Sequence, residues 1–320
     1  MSRTSPGVAV VAGGSAGVGR AVVAELARAG WDVAVLARGR AGVEAAAREA
    51  KELGAQSMSR QVDVVDLDGL REVAGEIERE LGPITLWINV AFVGALRKFW
   101  DTSPELYERI TAVTYGGQVN GTRVALELMR PRDEGVIINV GSALAFRGIP
   151  MQSAYCGAKH AIKGFTESVI SELRSEGSKV RVCMAQLPAM NTPQFDWNDT
   201  DETKHPQPVA PIYQPEVAAR AIRVLAEHPG RNTWVGLSTA YTILGNRLAP
   251  LFLDWYLGRT GVDGQLTDRD GPRYGSNAFQ PRDDDEDRGA HGMFDNEAHT
   301  WDPWSAVATR LRSALARVSV

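Results

Sequence analysis

The sequence predicts a doubly wound α/β fold, a parallel sheet with helices on both faces, built as a single domain with a C-terminal extension. Three observations lead there. Short apolar runs alternate with amphipathic stretches over about the first 240 residues, the pattern of repeated βαβ units. Several of those runs are apolar throughout rather than at alternate positions, as strands covered on both faces require. A glycine-rich turn joins the first run to the first helical stretch, where an open α/β sheet places its phosphate-binding loop.

The run "VAVVAG" (8–13) reads as the first strand, and "VGRAVVAELARAG" after it carries apolar residues at i, i+3 and i+4 before a closing glycine. Further strands are read at "DVAVLA" (32–37), "SMSRQVDV" (57–64), "TLWINV" (85–90), "GVIINVGS" (135–142) and "KVRVCMAQL" (179–187), with "TWVG" (233–236) as a last one. A long helix opens at Ser103, an N-cap residue, with Pro104 in the first helical position. Residues 188–213 are rich in Pro, Asn and Asp and read as a loop or lid, after which "PEVAARAIRVLAEHPG" is helical again. One domain is therefore expected over 1–258. Residues 259–302 hold eleven acidic and five basic side chains, with "DDDED" at 283–287. Such a stretch cannot bury enough apolar surface to order itself, so a flexible or extended acidic arm is expected. The stripe Trp304, Val307, Ala308, Leu311, Leu315 and Val318 makes 303–320 an amphipathic helix, expected to dock on the body or on a sister subunit.

Bulk properties narrow the function. With 44% hydrophobic and 23% charged residues among 320, the chain is of ordinary globular composition. Its net charge of −4 offers no basic field for nucleic acid. Two distant cysteines, Cys156 and Cys183, form neither a metal-ligand cluster nor a disulfide framework. The longest apolar run, "LAPLFLDWYL" (248–257), is ten residues with Asp254 inside it, so no membrane span is expected. The first residues run into a strand pattern without the features of a secretory leader, and a cytoplasmic location is expected.

Two motifs carry chemistry. In "AGGSAGVGR" (12–20), Gly13, Gly17 and Gly19 give the spacing GxxxGxG at a strand-to-helix turn, where a helix N-terminus presents free N–H groups to a pyrophosphate. In "SAYCGAKH" (153–160), Tyr155 and Lys159 stand at i and i+4 with small residues between. An ammonium on the same helix face favours a phenolate that would otherwise form only near pH 10.

Those motifs, with Ser142 thirteen residues before Tyr155, resemble the short-chain dehydrogenase/reductase family, classical type, over roughly residues 7–240. The resemblance implies a Rossmann-type sheet and an NAD(P)-dependent oxidoreductase. It implies that Ser142, Tyr155 and Lys159 are catalytic: Tyr155 passes the proton, Ser142 holds the substrate oxygen, and Lys159 also binds the nicotinamide ribose. It places Gly13, Ser15, Gly17, Val18 and Gly19 at the pyrophosphate and Asp63 and Val64 at the adenine. Asn89 and Ala91 match the family's NNAG, from which Val90 and Phe92 depart. Pro188 and Thr192 match its PGxxxT, with Ala189 in place of the glycine, and would touch the nicotinamide end.

Cofactor choice turns on the end of the second strand. Family members that use NAD carry an acidic residue where this chain has Ala37, and Arg38 follows it. A guanidinium suits a 2′-phosphate, so NADP(H) is expected over NAD(H). Thr114 stands where the family has an asparagine at a helix kink; bonding of its hydroxyl to the backbone, with Gly116 and Gly117 beside it, is expected to keep that kink. Asn120 falls about 240° around the helix from it and cannot substitute. Phe92, Trp100, Phe146, Phe195 and Trp197 should border an apolar or aromatic alcohol or carbonyl substrate. The expected reaction interconverts an alcohol and a ketone or aldehyde, in a homodimer or homotetramer. The alternatives are a reductase of a C=C or C=N bond and a cofactor-binding sensor without turnover.

Overall fold

Every residue of β1 (Val8–Ala12) is Val or Ala, and every one is buried. Such a strand has no solvent side and must be covered on both faces. In the computed structural model, which describes residues 5–271 and 274–308, it lies in the middle of a parallel sheet. Its companions are β2 (Asp32–Ala37), β3 (Ser57–Gln61), β4 (Ile84–Asn89), β5 (Val136–Ser142), β6 (Arg181–Leu187) and β7 (Asn232–Trp234). The seven strands run in the order β7-β6-β5-β4-β1-β2-β3. The order reverses between β1 and β4, and an open sheet binds ligands in the crevice beyond the strand ends at such a point.

Helices α1 (Gly17–Ala29) and α2 (Arg40–Glu52) cover one face, and α3 (Leu67–Glu80) the other. The chain then runs through α4 (Pro104–Thr111), α5 (Gly117–Met129) and α6 (Ser153–Ser175), of which α5 and α6 join α3. Next, α7 (Pro215–Glu227) packs beside α1. The sequence places these elements closely. Ser103 caps α4 by accepting the Leu106 N–H (3.2 Å), with Pro104 next to it. The third strand stops at Gln61, short of the 57–64 read from sequence: its pairing ends with β2 at Ala37, to whose carbonyl the Val62 N–H still donates (2.9 Å).

Two parts go beyond the sequence reading. A helical pair, α8 (Leu237–Leu248) and α9 (Pro250–Thr260), follows β7 and leaves Leu248, Leu251 and Phe252 on the surface. The acidic arm then runs back across the crevice from Tyr274 to Asp302 through bends and turns, touching the loop after β6, then α2 and α1, and that loop again. Residues 303–308 are helical; the rest of the helix expected over 303–320, with Leu311, Leu315 and Val318, lies outside the described residues. No helix among the described residues is long and apolar enough to cross a membrane.

The kink expected at Thr114 is a π-turn over Ala112–Gly116, between α4 and α5. Its support differs from expectation. The Thr114 hydroxyl does not bond back to its own helix: it donates to the Val93 carbonyl (2.9 Å) and accepts the Val93 N–H (3.2 Å), tying the turn to the loop after β4. Asn120, on another face, donates to the carbonyls of Val64 and Val65 (3.0 and 3.2 Å). Because Thr114 is fully buried, Thr114→Ala strands two backbone groups and should lower stability by about 1–3 kcal/mol. Urea unfolding of Thr114→Ala beside Thr114→Ser, which keeps the hydroxyl, measures this; equal losses would refute the role given to the hydroxyl.

Candidate active site

The β1–α1 turn is built on close approach. Gly13 holds φ at +101°, and a Cβ there would run into the backbone of Ala91 at the end of β4. A Cβ on Gly19 would strike the Gly13 carbonyl. Side chains at these positions would push the turn out of the crevice, which is the physical reason for the glycine spacing. From this turn a cavity of about 650 Å³ extends past Arg38, Asp63 and Val64 at one end, along Ala91 and Ser142, to Phe195 and Tyr256 at the other. Ser15, Gly17, Val18, Pro188 and Thr192 also line it.

At its centre β5 and α6 present the three residues expected to be catalytic. Ser142 ends β5, where its hydroxyl oxygen accepts the Leu144 N–H (3.1 Å). Tyr155 and Lys159 lie on the first turns of α6. Burial raises the Tyr155 phenol above its ordinary range, opposed by a hydrogen bond with Ser142. Lys159 is 1% exposed. Its ammonium donates to the Val140 carbonyl at 2.8 Å and lies 5.5 Å from the Tyr155 ring centre. Burial brings its pKa down to about 7. An ammonium has three donors, and this one has a single hydrogen-bond acceptor among the described residues. The hydroxyls of a ribose would supply the others, so the residues present fit a nicotinamide dinucleotide. Phe92, in the place of the family's glycine, sets its ring against Tyr155 edge to face at 5.6 Å.

The other expected residues divide. Asn89 does not reach the cavity. Its side chain is buried beneath β4, where its oxygen accepts from Trp87 Nε1 (2.8 Å) and its nitrogen donates to Asn139 and Thr122 (2.9 and 3.2 Å). Neighbouring strand residues face opposite ways, and Asn89 faces α5, where Gly121 leaves room for it. Asp63 borders the cavity with its carboxylate held by Arg109 (2.5 Å) and the Val65 N–H (3.1 Å). Arg38 also borders it, with burial and then Arg109 lowering its pKa. Its guanidinium donates to backbone carbonyls of the arm. Of the aromatic residues named for the substrate end, Phe92, Phe195 and Trp197 line the cavity, whereas Phe146 does not and Trp100 is 77% exposed. The sequence reading missed Tyr241, Leu253 and Tyr256 from α8 and α9, and Asn277, Pro281 and Asp283 from the arm. The apolar run at 248–257 was a signal for Leu253 and Tyr256; Tyr241 and the acidic arm offered none.

A glycine-built turn at the switch point and a serine, a tyrosine and a buried lysine at the sheet's C-terminal edge thus line one cavity. Residues 7–203 match the sequence model of the short chain dehydrogenase family, and the chain belongs to that family. The uncharacterized oxidoreductase YxnA of Bacillus subtilis (strain 168) is 30% identical over 249 residues, which cover 77% of this chain and 70% of that protein. A short chain dehydrogenase/reductase from Burkholderia phymatum in complex with NAD has a TM-score of 0.69 at 20% identity, covering 80% of this chain and 97% of that one. A metagenomic short-chain oxidoreductase in complex with NADP has a TM-score of 0.62 at 23% identity, covering 73% and 98%. These solved structures share the fold, and each is matched over nearly its whole length while leaving part of this chain without a counterpart.

The buried lysine has a measurable consequence. Lys159 titrates near its ordinary 10.5 when unfolded and about 7 when folded. Between those values the unfolded chain holds the extra proton, so this residue makes stability rise with pH across that window. Lys159→Met should remove that contribution. Urea unfolding at about pH 7 and pH 9 should show the wild type gaining on the variant as pH rises; parallel behaviour would rule out a lysine held in this way.

Proposed function

We propose that the protein interconverts an alcohol and a ketone or aldehyde, with Ser142, Tyr155 and Lys159 carrying the proton chemistry. The observation that carries this reading is the buried Lys159 ammonium one helical turn from a Tyr155 phenol hydrogen-bonded by Ser142, all facing one cavity. A bound nicotinamide supplies or accepts the hydride. In the direction of reduction, the Tyr155 hydroxyl donates its proton to the carbonyl oxygen as negative charge builds there. Ser142 donates a hydrogen bond to the same oxygen and fixes it beside the phenol. The Lys159 ammonium lowers the cost of the tyrosinate left behind. Oxidation runs through the same groups in reverse. The glycine turn with Ser15 and Val18 would hold the pyrophosphate, Val64 with Asp63 the adenine, and Pro188 with Thr192 the nicotinamide end.

The substrate end supports an apolar substrate. Phe195, Trp197, Leu253, Tyr256 and Leu257 line it, and α8 and α9 extend the apolar surface outward through Leu244, Leu251 and Phe252. The sequence favours NADP(H) on the strength of Ala37 and Arg38. Arg38 is engaged by the arm, so the choice between NADP(H) and NAD(H) turns on what faces the ribose at the end of β2. The outer faces of α5 and α6, with the π-turn between α4 and α5 where Tyr115 meets Phe165 edge to face at 6.2 Å, are the surfaces proposed to pair in a homodimer or homotetramer.

Tyr155→Phe removes the transferable proton and little else. It should keep dinucleotide affinity and lower turnover by about a hundredfold or more, followed through the absorbance of the reduced nicotinamide with a panel of apolar ketones. Substantial residual turnover near neutral pH would sink the role of Tyr155, and wild-type protein inert toward every carbonyl would sink the reaction.

A further inference from the structure

In doubly wound dinucleotide folds the end of the second strand faces the adenosine ribose. An acidic residue there accepts from a 2′-hydroxyl, whereas an arginine there suits a 2′-phosphate. Ala37 does neither. Arg38 has the right chemistry, but its guanidinium donates to the carbonyls of Asn277 (2.5 Å), Ala278 (3.1 Å) and Phe279 (3.3 Å), all on the arm. The arm also takes up the N-terminus of α2. Asp284 accepts the Arg40 N–H with its carboxylate (2.9 Å) and the Ala41 N–H with its carbonyl (3.1 Å), and the Asp283 carbonyl accepts the Gly42 N–H (3.0 Å).

These contacts set the Asp283 side chain into the cavity wall. It is 6% exposed and borders the same cavity as Ser15, Ala37 and Arg38. Its carboxylate lies so close over Gly39 and Gly42 that a Cβ on either would collide with it. Among the described residues no donor is hydrogen-bonded to that carboxylate; the cation it acts on is the neighbouring Arg38 guanidinium, whose charge it favours. A buried carboxylate with its acceptor positions open calls for a donor.

We infer that Asp283 of the C-terminal arm is the acidic residue that reads the adenosine ribose, and that the arm in this position makes the protein select NAD(H) over NADP(H). The inference rests on reading the cavity as a dinucleotide site. A ribose 2′-hydroxyl donates and the Asp283 carboxylate accepts. A 2′-phosphate brings about −1.5 to −2 charges against a buried carboxylate, and Arg38 can meet it only by leaving three carbonyls. The selecting acid thus comes from a distant part of the chain rather than from the strand end.

Calorimetric titration of the full-length protein with 5′-ADP and with 2′,5′-ADP tests the adenosine end without any hydride transfer; NADH and NADPH form the second pair. The wild type should favour the unphosphorylated member of each pair by about tenfold or more, and Asp283→Asn should shrink that ratio about tenfold. Gly39→Ala displaces the carboxylate without changing charge and should shrink it too, which guards against a folding defect in the first variant. Asp285→Asn changes net charge equally at an exposed site and should keep the wild-type ratio. A wild type that prefers the phosphorylated probes overturns the inference. So does an unchanged ratio in Asp283→Asn, which would make the residue only a cap of α2. If neither nucleotide binds, the dinucleotide reading fails and this inference with it; discrimination without turnover of any carbonyl overturns the proposed reaction alone.

Discussion

A lysine ammonium held out of water beneath the end of β5 constrains the whole cavity end of the molecule. Lys159 bonds to the carbonyl of Val140, two residues before Ser142, so the helix carrying it must start close beside that strand. Tyr155, one turn earlier on α6, is thereby placed against Ser142. The strand in turn is held by its register with β4 and β6, in which Asn139 lies opposite Asn89 and Ser142 opposite Leu187. Burial costs the ammonium much of its hydration, and a lysine at this position is tolerable only because Val140 and the two aromatic rings of Phe92 and Tyr155 lie within reach.

Polar residues within the sheet support that placement from beneath. Asn89, Asn139, Thr122 and Thr166 are hydrogen-bonded to one another below β4 and β5. Such buried amides specify one register, since a slip would leave several of them without partners. The match to a family motif at Asn89 was therefore sound as a pattern, while the direction of its side chain required the strand to be seen in place.

The sheet, its switch point, the glycine turn and the Ser142, Tyr155 and Lys159 positions were legible because each leaves a local mark: a continuous apolar run, a spacing of glycines, a helical i, i+4 pair. The arm was not. It buries few apolar side chains, chiefly Ala278 and Phe294, and its docking relies on backbone carbonyls meeting Arg38 and on carboxylates meeting helix N-termini and Arg20. Composition records neither, because the same acidic residues read alone describe a solvated tail. The contacts of Arg38 were hidden for the same reason: the acceptors that engage its guanidinium lie some 240 residues away in sequence.

That separation bears on how the molecule comes into being on the ribosome. Synthesis runs from the N-terminus and domains generally fold as they emerge. The seven strands and α6 end by Trp234, whereas the contacts of the arm to Arg38 and Arg20 span 240 and 267 residues. Long-range closures of this kind come late. The crevice is therefore finished last beside Arg38, and a nascent chain halted before Asn277 would carry the serine, tyrosine and lysine in place beneath a groove with no roof.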